Sequence, residues 1–246
     1  MNKGHAQFLA GTSGWTYPDW QGTFYPVDWP KSRWFEYYAG KFSTVEINAT
    51  FYRTFKDQTY SKWREQAPRE FRYVLKAPRL ITHRKHLIGA EDVIKGFWQS
   101  ASLLEDKLGL ILLQLAPSTQ YDPDRLRQTL LTFGNPRKIA VEFRHEKWCT
   151  EEIKNLLEET GSVFCTADSP KSELRDWVTS EVAYIRLHGR KRWYDHDYSN
   201  QELREIAALA KRMVVLGAKQ IYIFFNNSVN GYAPQNALTL LKMVQF

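Results

Sequence analysis

Cysteine is almost missing from this 246-residue chain: there are two, Cys149 and Cys165. They form no metal-ligand spacing, and a structural disulfide is not expected. Also absent is any run approaching the roughly 18 consecutive apolar residues of a membrane span. The first residues, Met-Asn-Lys-Gly-His, are not followed by a signal-peptide core, so a cytoplasmic location and no membrane partner are expected. No GxGxxG and no Walker sequence occurs, which removes local support for a dinucleotide or P-loop fold. No Pro/Gly/Ser-rich break marks a linker, and one domain spanning 1–246 is the expectation.

What is abundant is apolar and aromatic surface: 43% of residues are hydrophobic, with nine Trp, thirteen Tyr and fourteen Phe, enough for a sizeable core. The formal net charge is +7, which favours anionic partners because a positive potential concentrates phosphates and speeds their encounter. Two basic runs stand out, Arg79 to His86 and Gly189 to Tyr194.

Strand-like runs begin near residues 7, 44, 72, 110, 139, 163, 183 and 220, and most end in polar residues. Side chains alternate along a strand, so Val45/Ile47, Ile111/Leu113, Val141/Phe143, Ile185/Leu187 and Ile221/Ile223 should share one face, with Cys165 on it as a small hydrophobe. Glu46/Asn48, Lys76, Gln114, Glu142/Arg144, Asp168, Arg186/His188 and Asn226 should share the other.

Helical periodicity fills the gaps at Asp57–Gln66, Ala90–Leu108, Asp124–Phe133, Glu151–Thr160, Gln201–Leu216 and Pro234–Val244, with shorter pieces at Arg33–Ala39 and Glu173–Trp177. Ser199 with Glu202 predicts a capping box and Thr150 an N-cap; Gly109, Gly161 and Gly217 predict helix stops. The pattern predicts an α/β fold, a single (β/α)8 TIM-type barrel of parallel strands with outer helices. Its pocket is expected at the C-terminal rim.

Charged groups are costly to bury without partners, so polar residues gathered at one end of one face predict a wet cleft. Glu46 and Glu142 are candidates for dividing acid and base roles, with His188 as a neutral assisting base. Arg144 near Glu142 should hold that carboxyl ionised. Asn48, Lys76, Arg144, Asp168, Arg186, Arg190, Asn226 and Asn227 are candidate ligand-binding residues, with Trp15 and Trp148 as lids or stacking surfaces.

Glu46, Glu142, Asp168 and His188 offer oxygen and nitrogen donors to a divalent metal, but the interleaved cations disfavour one; no metal site is assigned and the cofactor is left open. His83 and His86 lack a helix to bring them together, so phosphate contact or solvation is expected rather than coordination. Three functions compete. The leading one is an enzyme acting by acid–base chemistry on a phosphate-bearing ligand, a sugar phosphate or nucleic acid, with hydrolase, lyase and isomerase chemistry open. The second is a noncatalytic nucleic-acid binder using the basic runs and nearby aromatics. The third is a carbohydrate-active enzyme with a glutamate pair. Oligomeric state is not addressed by any of these residues.

Seven segments in order carry a resemblance: Gly11-Thr-Ser-Gly-Trp15, Val45-Glu-Ile-Asn-Ala-Thr-Phe-Tyr52, Lys76-Ala-Pro-Arg-Leu-Ile-Thr-His83, Leu113-Gln-Leu-Ala-Pro117, Val141-Glu-Phe-Arg-His145 with Trp148, Arg186-Leu-His-Gly189, and Phe225-Asn-Asn227 with Gly231. Together they resemble the YecE-like family, a domain of unknown function, over nearly the whole chain. Ala116 departs from a second proline common in that family. The resemblance implies a TIM-barrel fold and supplies no accepted reaction and no established catalytic residues. Its barrel is distantly similar to those of sugar isomerases and an apurinic endonuclease, an analogy of fold rather than of activity.

Overall fold

A computed structural model describes residues 6–244. The reading of the extreme N-terminus concerns residues 1–5 and lies outside the described residues. In chain order the elements are β1 (Gln7–Thr12), α1 (Trp34–Ala39), β2 (Thr44–Ile47), α2 (Ala49–Tyr52), α3 (Asp57–Gln66), β3 (Arg72–Lys76), α4 (Glu91–Ser102), β4 (Leu108–Gln114) and α5 (Pro123–Thr132). They continue as β5 (Ile139–Glu142), α6 (Glu151–Thr160), β6 (Val163–Asp168), β7 (Val182–Leu187), α7 (Asn200–Val215), β8 (Gln220–Phe225) and α8 (Tyr232–Val244). The eight strands form one sheet of order β1-β8-β7-β6-β5-β4-β3-β2. A further parallel bridge pairs Ser13 with Glu46. This is the (β/α)8 TIM-type barrel that the periodicity predicts. Among the described residues no helix is long and apolar enough to cross a membrane.

Two compact units divide the chain, one running up to Glu46 and again from Thr166 onward, the other Ile47–Cys165. In the first, β1 and β7 pair with β8 in register, Gly11 beside Phe224 and Arg186 also beside Phe224. Tyr184, Tyr222 and Phe224 pack ring on ring, Tyr184 and Phe224 at 5.4 Å and Tyr184 and Tyr222 at 6.2 Å. Helix α7 starts at the expected capping box, Ser199 accepting from the Glu202 N–H at 3.3 Å and Glu202 accepting from the Ser199 N–H at 2.8 Å. In the second unit β3, β4 and β5 pair in parallel, Lys76 beside Leu112 and Gln114 beside Glu142. Thr150 caps α6 through the Ile153 N–H, and Gly161 closes that helix at φ 69°, as a residue without Cβ can.

Three expectations fail locally, each for a physical reason. Gly109 is not a helix stop: α4 ends at Ser102, Glu105 turns through φ 51°, and Gly109 lies inside β4. There the register slips, Tyr73 pairing with Leu108 and Val74 with Leu110, so Gly109 is the extra residue of a bulge. Glu173–Trp177 forms no helix. Pro170 precedes it, Ser169 and Ser172 exchange backbone hydrogen bonds, and the Thr166 hydroxyl takes the Arg175 N–H at 2.7 Å, contacts that hold the segment in an irregular path along β6.

The third failure is on β6. Glu142 pairs with Cys165, and neighbours in a parallel ladder point the same way, so Cys165 shares the face of Glu142. Asp168, three residues on, points the opposite way.

Gly11 marks a tight approach in the first unit, where a Cβ would run into the Thr44 carbonyl and come within 3.0 Å of the Tyr38 hydroxyl. Tyr38 is buried and bridges the Thr12 N–H and the Thr44 carbonyl, at 2.9 and 3.1 Å. Gly11→Ala should therefore lower stability by about 1–3 kcal/mol through overpacking, read as a fall in the urea midpoint. An unchanged midpoint would show that this contact is not tight.

Candidate functional site

The side chains expected to form a rim fall into both units. In the first unit Glu46 has no exposed surface, and four hydrogen bonds converge on it. Its Oε1 accepts from Ser13 Oγ at 2.6 Å and Arg186 Nη2 at 2.7 Å; its Oε2 accepts from the Tyr184 hydroxyl at 2.5 Å and Arg186 Nε at 2.9 Å. Tyr184 and Arg186 reach it together because alternate β7 residues share a face. Burial by itself would push the Glu46 carboxyl up, but the facing Arg186 guanidinium and these hydrogen bonds outweigh it and hold the group below the ordinary carboxylate range.

His188, next on the same face and also fully buried, has Nε2 3.3 Å from Arg186 Nη1. A guanidinium has no acceptor, so Nε2 accepts and the proton of the neutral ring sits on Nδ1. The Asn226 amide, 3.0 Å from Nδ1, is then assigned with its oxygen toward the ring.

Asp168, Arg190 and Asn227 sit in a separate network of the same unit. Arg190 gives Nε to Asp168 at 2.9 Å and Nη1 to Glu205 at 2.7 Å, with Glu202 at 3.8 Å. Burial raises the Asp168 carboxyl, and Arg190 only partly opposes it. Asn227 is fully buried and donates to the His196 carbonyl at 2.8 Å and to Asn236 at 2.7 Å, holding the loop before α7. Arg192 faces Asp195 at 3.8 Å, so the basic run after β7 is matched by carboxylates. Trp15 is half-buried, edge-on to Phe35 at 5.4 Å.

In the second unit Glu142, fully buried, accepts from Gln114 Nε2 at 3.0 Å and pairs with Arg144 Nε at 2.6 Å, as the sequence predicts. Trp148 stacks on Phe143 with centroids 5.3 Å apart and is 1% exposed, so it is packing rather than an open stacking surface. Lys76 ends β3 with Nζ 4.1 Å from the centre of the Phe51 ring, and His83 meets the same ring edge-on at 5.0 Å. His83 is delivered by a π-helical turn, Leu80–Arg84, that the sequence reading leaves as a loop. Its imidazole is pushed down to about 4, first by burial and then by Lys76, Arg79, His86 and Arg144. Asn48 caps α2, and its buried Oδ1 has no hydrogen-bond partner.

Sequence reasoning undervalued His83, because nothing in its spacing shows that it meets the Phe51 ring that Lys76 also covers. A signal was present in Lys76 and Arg79 on the same short connection. Among the described residues no group of three or more His, Cys, Asp or Glu side chains could hold a metal ion.

The family model described as Protein of unknown function DUF72 matches residues 9–246. The UPF0759 protein YunF of Bacillus subtilis is 24% identical over 271 residues, spanning 95% of this chain and 93% of that protein. The UPF0759 protein YecE of Escherichia coli is 37% identical over 84 residues, 34% of this chain and 30% of that protein. Among solved structures, a DUF72 family protein from Thermotoga maritima superposes with a TM-score of 0.88 at 29% identity, covering 98% of this chain and 100% of that one. Another, from Enterococcus faecalis, has a TM-score of 0.84 at 20% identity over 98% of this chain and 96% of that one, and shares the fold.

Breaking a buried ion pair from one side leaves a charge without its partner, so Arg186→Met should cost about 3–5 kcal/mol in urea unfolding. A loss below about 1 kcal/mol would mean that Ser13 and Tyr184 suffice for Glu46. His83 titrates near pH 4 when folded against 6.5 for a free imidazole, so the folded state holds fewer protons between those values. Stability should fall as pH drops through that window, and His83→Asn should flatten the fall. Parallel stability profiles for the two chains between pH 7 and 4 would exclude this.

Proposed function

The chain belongs to the DUF72 family of proteins of unknown function, and from that premise we propose that it is an enzyme acting by acid–base chemistry on a phosphate-bearing ligand. The observation that carries this reading is that Lys76 and the half-buried His83 meet on one Phe51 ring, at 4.1 and 5.0 Å, in a setting where Lys76, Arg79, His86 and Arg144 all add to the lowering of the imidazole by burial. A cluster of this sign in a poorly solvated place favours an anion with several acceptor oxygens. The carboxylate of the group, Glu142, is already committed to Arg144 and Gln114.

A phosphate entering this cluster opposes the field of the cations, which after burial is the second cause of the lowered imidazole, and so favours uptake of a proton by His83 as the anion binds. His83 then holds that proton beside the ligand, where a leaving oxygen needs it. Glu142 positions Arg144 in this reading instead of transferring protons, and Glu46 positions Arg186. The two glutamates expected to act as acid and base are both sealed from solvent and paired with arginine, which suits anchoring better than proton exchange. The same geometry weakens the glutamate-pair glycosidase, since each Glu46 oxygen already accepts two donors. It weakens a nucleic-acid surface on the loop after β7 as well, because Arg190 and Arg192 face carboxylates.

Isothermal titration with inorganic phosphate and glycerol phosphate tests the proposal. Both should bind, with net proton uptake near neutral pH shown by heats that vary with buffer ionisation enthalpy. Lys76→Gln should weaken binding about tenfold or more, the loss of one charge-assisted hydrogen bond. Equal affinity in the variant, or no binding by the parent chain, would remove the phosphate site.

A further inference from the structure

Phe51 is a hub in the second unit. Lys76 lies over its face at 4.1 Å, His83 meets it edge-on at 5.0 Å, and Tyr52 meets it edge-on at 5.0 Å with an interplanar angle of 86°. Lys76 is buried, yet Tyr52 is 75% exposed, so one step of the chain leads from the cationic group to an open aromatic ring. Among the described residues Tyr52 makes no hydrogen bond, and its one ring neighbour is Phe51. An exposed ring with a free face, one residue from a ring that a lysine covers, is a surface on which a flat group can stack.

The surroundings add charge of one sign. Arg53, exposed, lies with its guanidinium 4.6 Å from the centre of the Phe55 ring and has no carboxylate partner among the described residues. Arg79 and Arg84 are exposed and likewise unpaired there. The basic loop after β7 in the other unit is matched arginine by arginine, whereas this one is not. At the start of the same turn Asn48 Oδ1 is buried without a donor, a position that calls for a hydroxyl or amino group from a ligand.

We infer that the ligand of the Lys76–His83–Arg144 group carries an aromatic base beside its phosphate, as a nucleotide or the end of a single strand does, and that Tyr52 is the platform on which the base stacks. This rests on the phosphate reading above and narrows it from any phosphate ester to nucleotide-bearing ones. Phosphate and base are joined through one sugar, so neighbouring sites for an anion and for a flat ring select this class over a bare sugar phosphate. Aromatic stacking is tolerant of base identity, so the inference does not select a particular base.

The test compares thymidine 5′-phosphate with ribose 5-phosphate by titration on the whole protein and on Tyr52→Ala and Lys76→Gln. Thymidine 5′-phosphate should bind the parent chain about tenfold more tightly than ribose 5-phosphate, the advantage expected of one stacked base. Tyr52→Ala should abolish that advantage and leave ribose 5-phosphate affinity unchanged. Tyr52 is exposed, so the variant should keep the parent's circular dichroism and urea midpoint. Equal affinities for the two compounds in the parent, or an advantage that survives Tyr52→Ala, would overturn the base platform and leave the phosphate site standing. If neither compound binds, or if Lys76→Gln changes neither affinity, the phosphate site fails and the platform with it.

Discussion

Glu46 and Arg186 meet through two parallel hydrogen bonds, 2.7 and 2.9 Å long, with almost no access to water. Each would be very costly to bury alone, so the fold of the first unit has to satisfy both at once. That requirement explains the neighbours: Ser13 and Tyr184 fill the remaining carboxylate positions, and His188 accepts from the arginine's spare nitrogen. Asn226 then fixes the ring from its other side. One buried ion pair therefore gathers Ser13, Tyr184 and His188 around it. The same device recurs in the second unit, where Arg144 and Gln114 hold Glu142.

Positive charge is handled differently in the two units. Around β7 the arginines of the following loop are tied to Asp168, Glu202, Glu205 and Asp195, which makes them part of the scaffold. Around β3 burial lowers the His83 imidazole and Lys76, Arg79, His86 and Arg144 lower it further. That difference, rather than the overall charge of +7, is what the phosphate proposal draws on.

Much was legible before any coordinates. Helices Asp57–Gln66 and Glu151–Thr160 appear with the predicted bounds, since caps and periodicity act locally. The polar ends of β2, β5 and β7 were also readable, because a charge in an apolar strand is conspicuous. Asp168 was not, since its face depends on the register of β6 against β5, and a shift of one residue reverses every side chain. Gly109 shows the same limit: a glycine between a helical pattern and a strand reads equally as a cap or a bulge, and only the partner strand decides.

The sequence by itself determined the alternation of strands and helices, the caps that start α6 and α7, and the chemical character of the strand ends. These follow from contacts between residues a few positions apart, or from burial patterns of period 2 and 3.6. Tertiary structure alone decided which carboxylate pairs with which arginine, that Lys76 and His83 meet on the Phe51 ring, and that Cys165 rather than Asp168 shares the face of Glu142. Those outcomes join residues as far apart as Glu46 and Arg186, whose pairing depends on strand order and register and leaves no trace in local spacing.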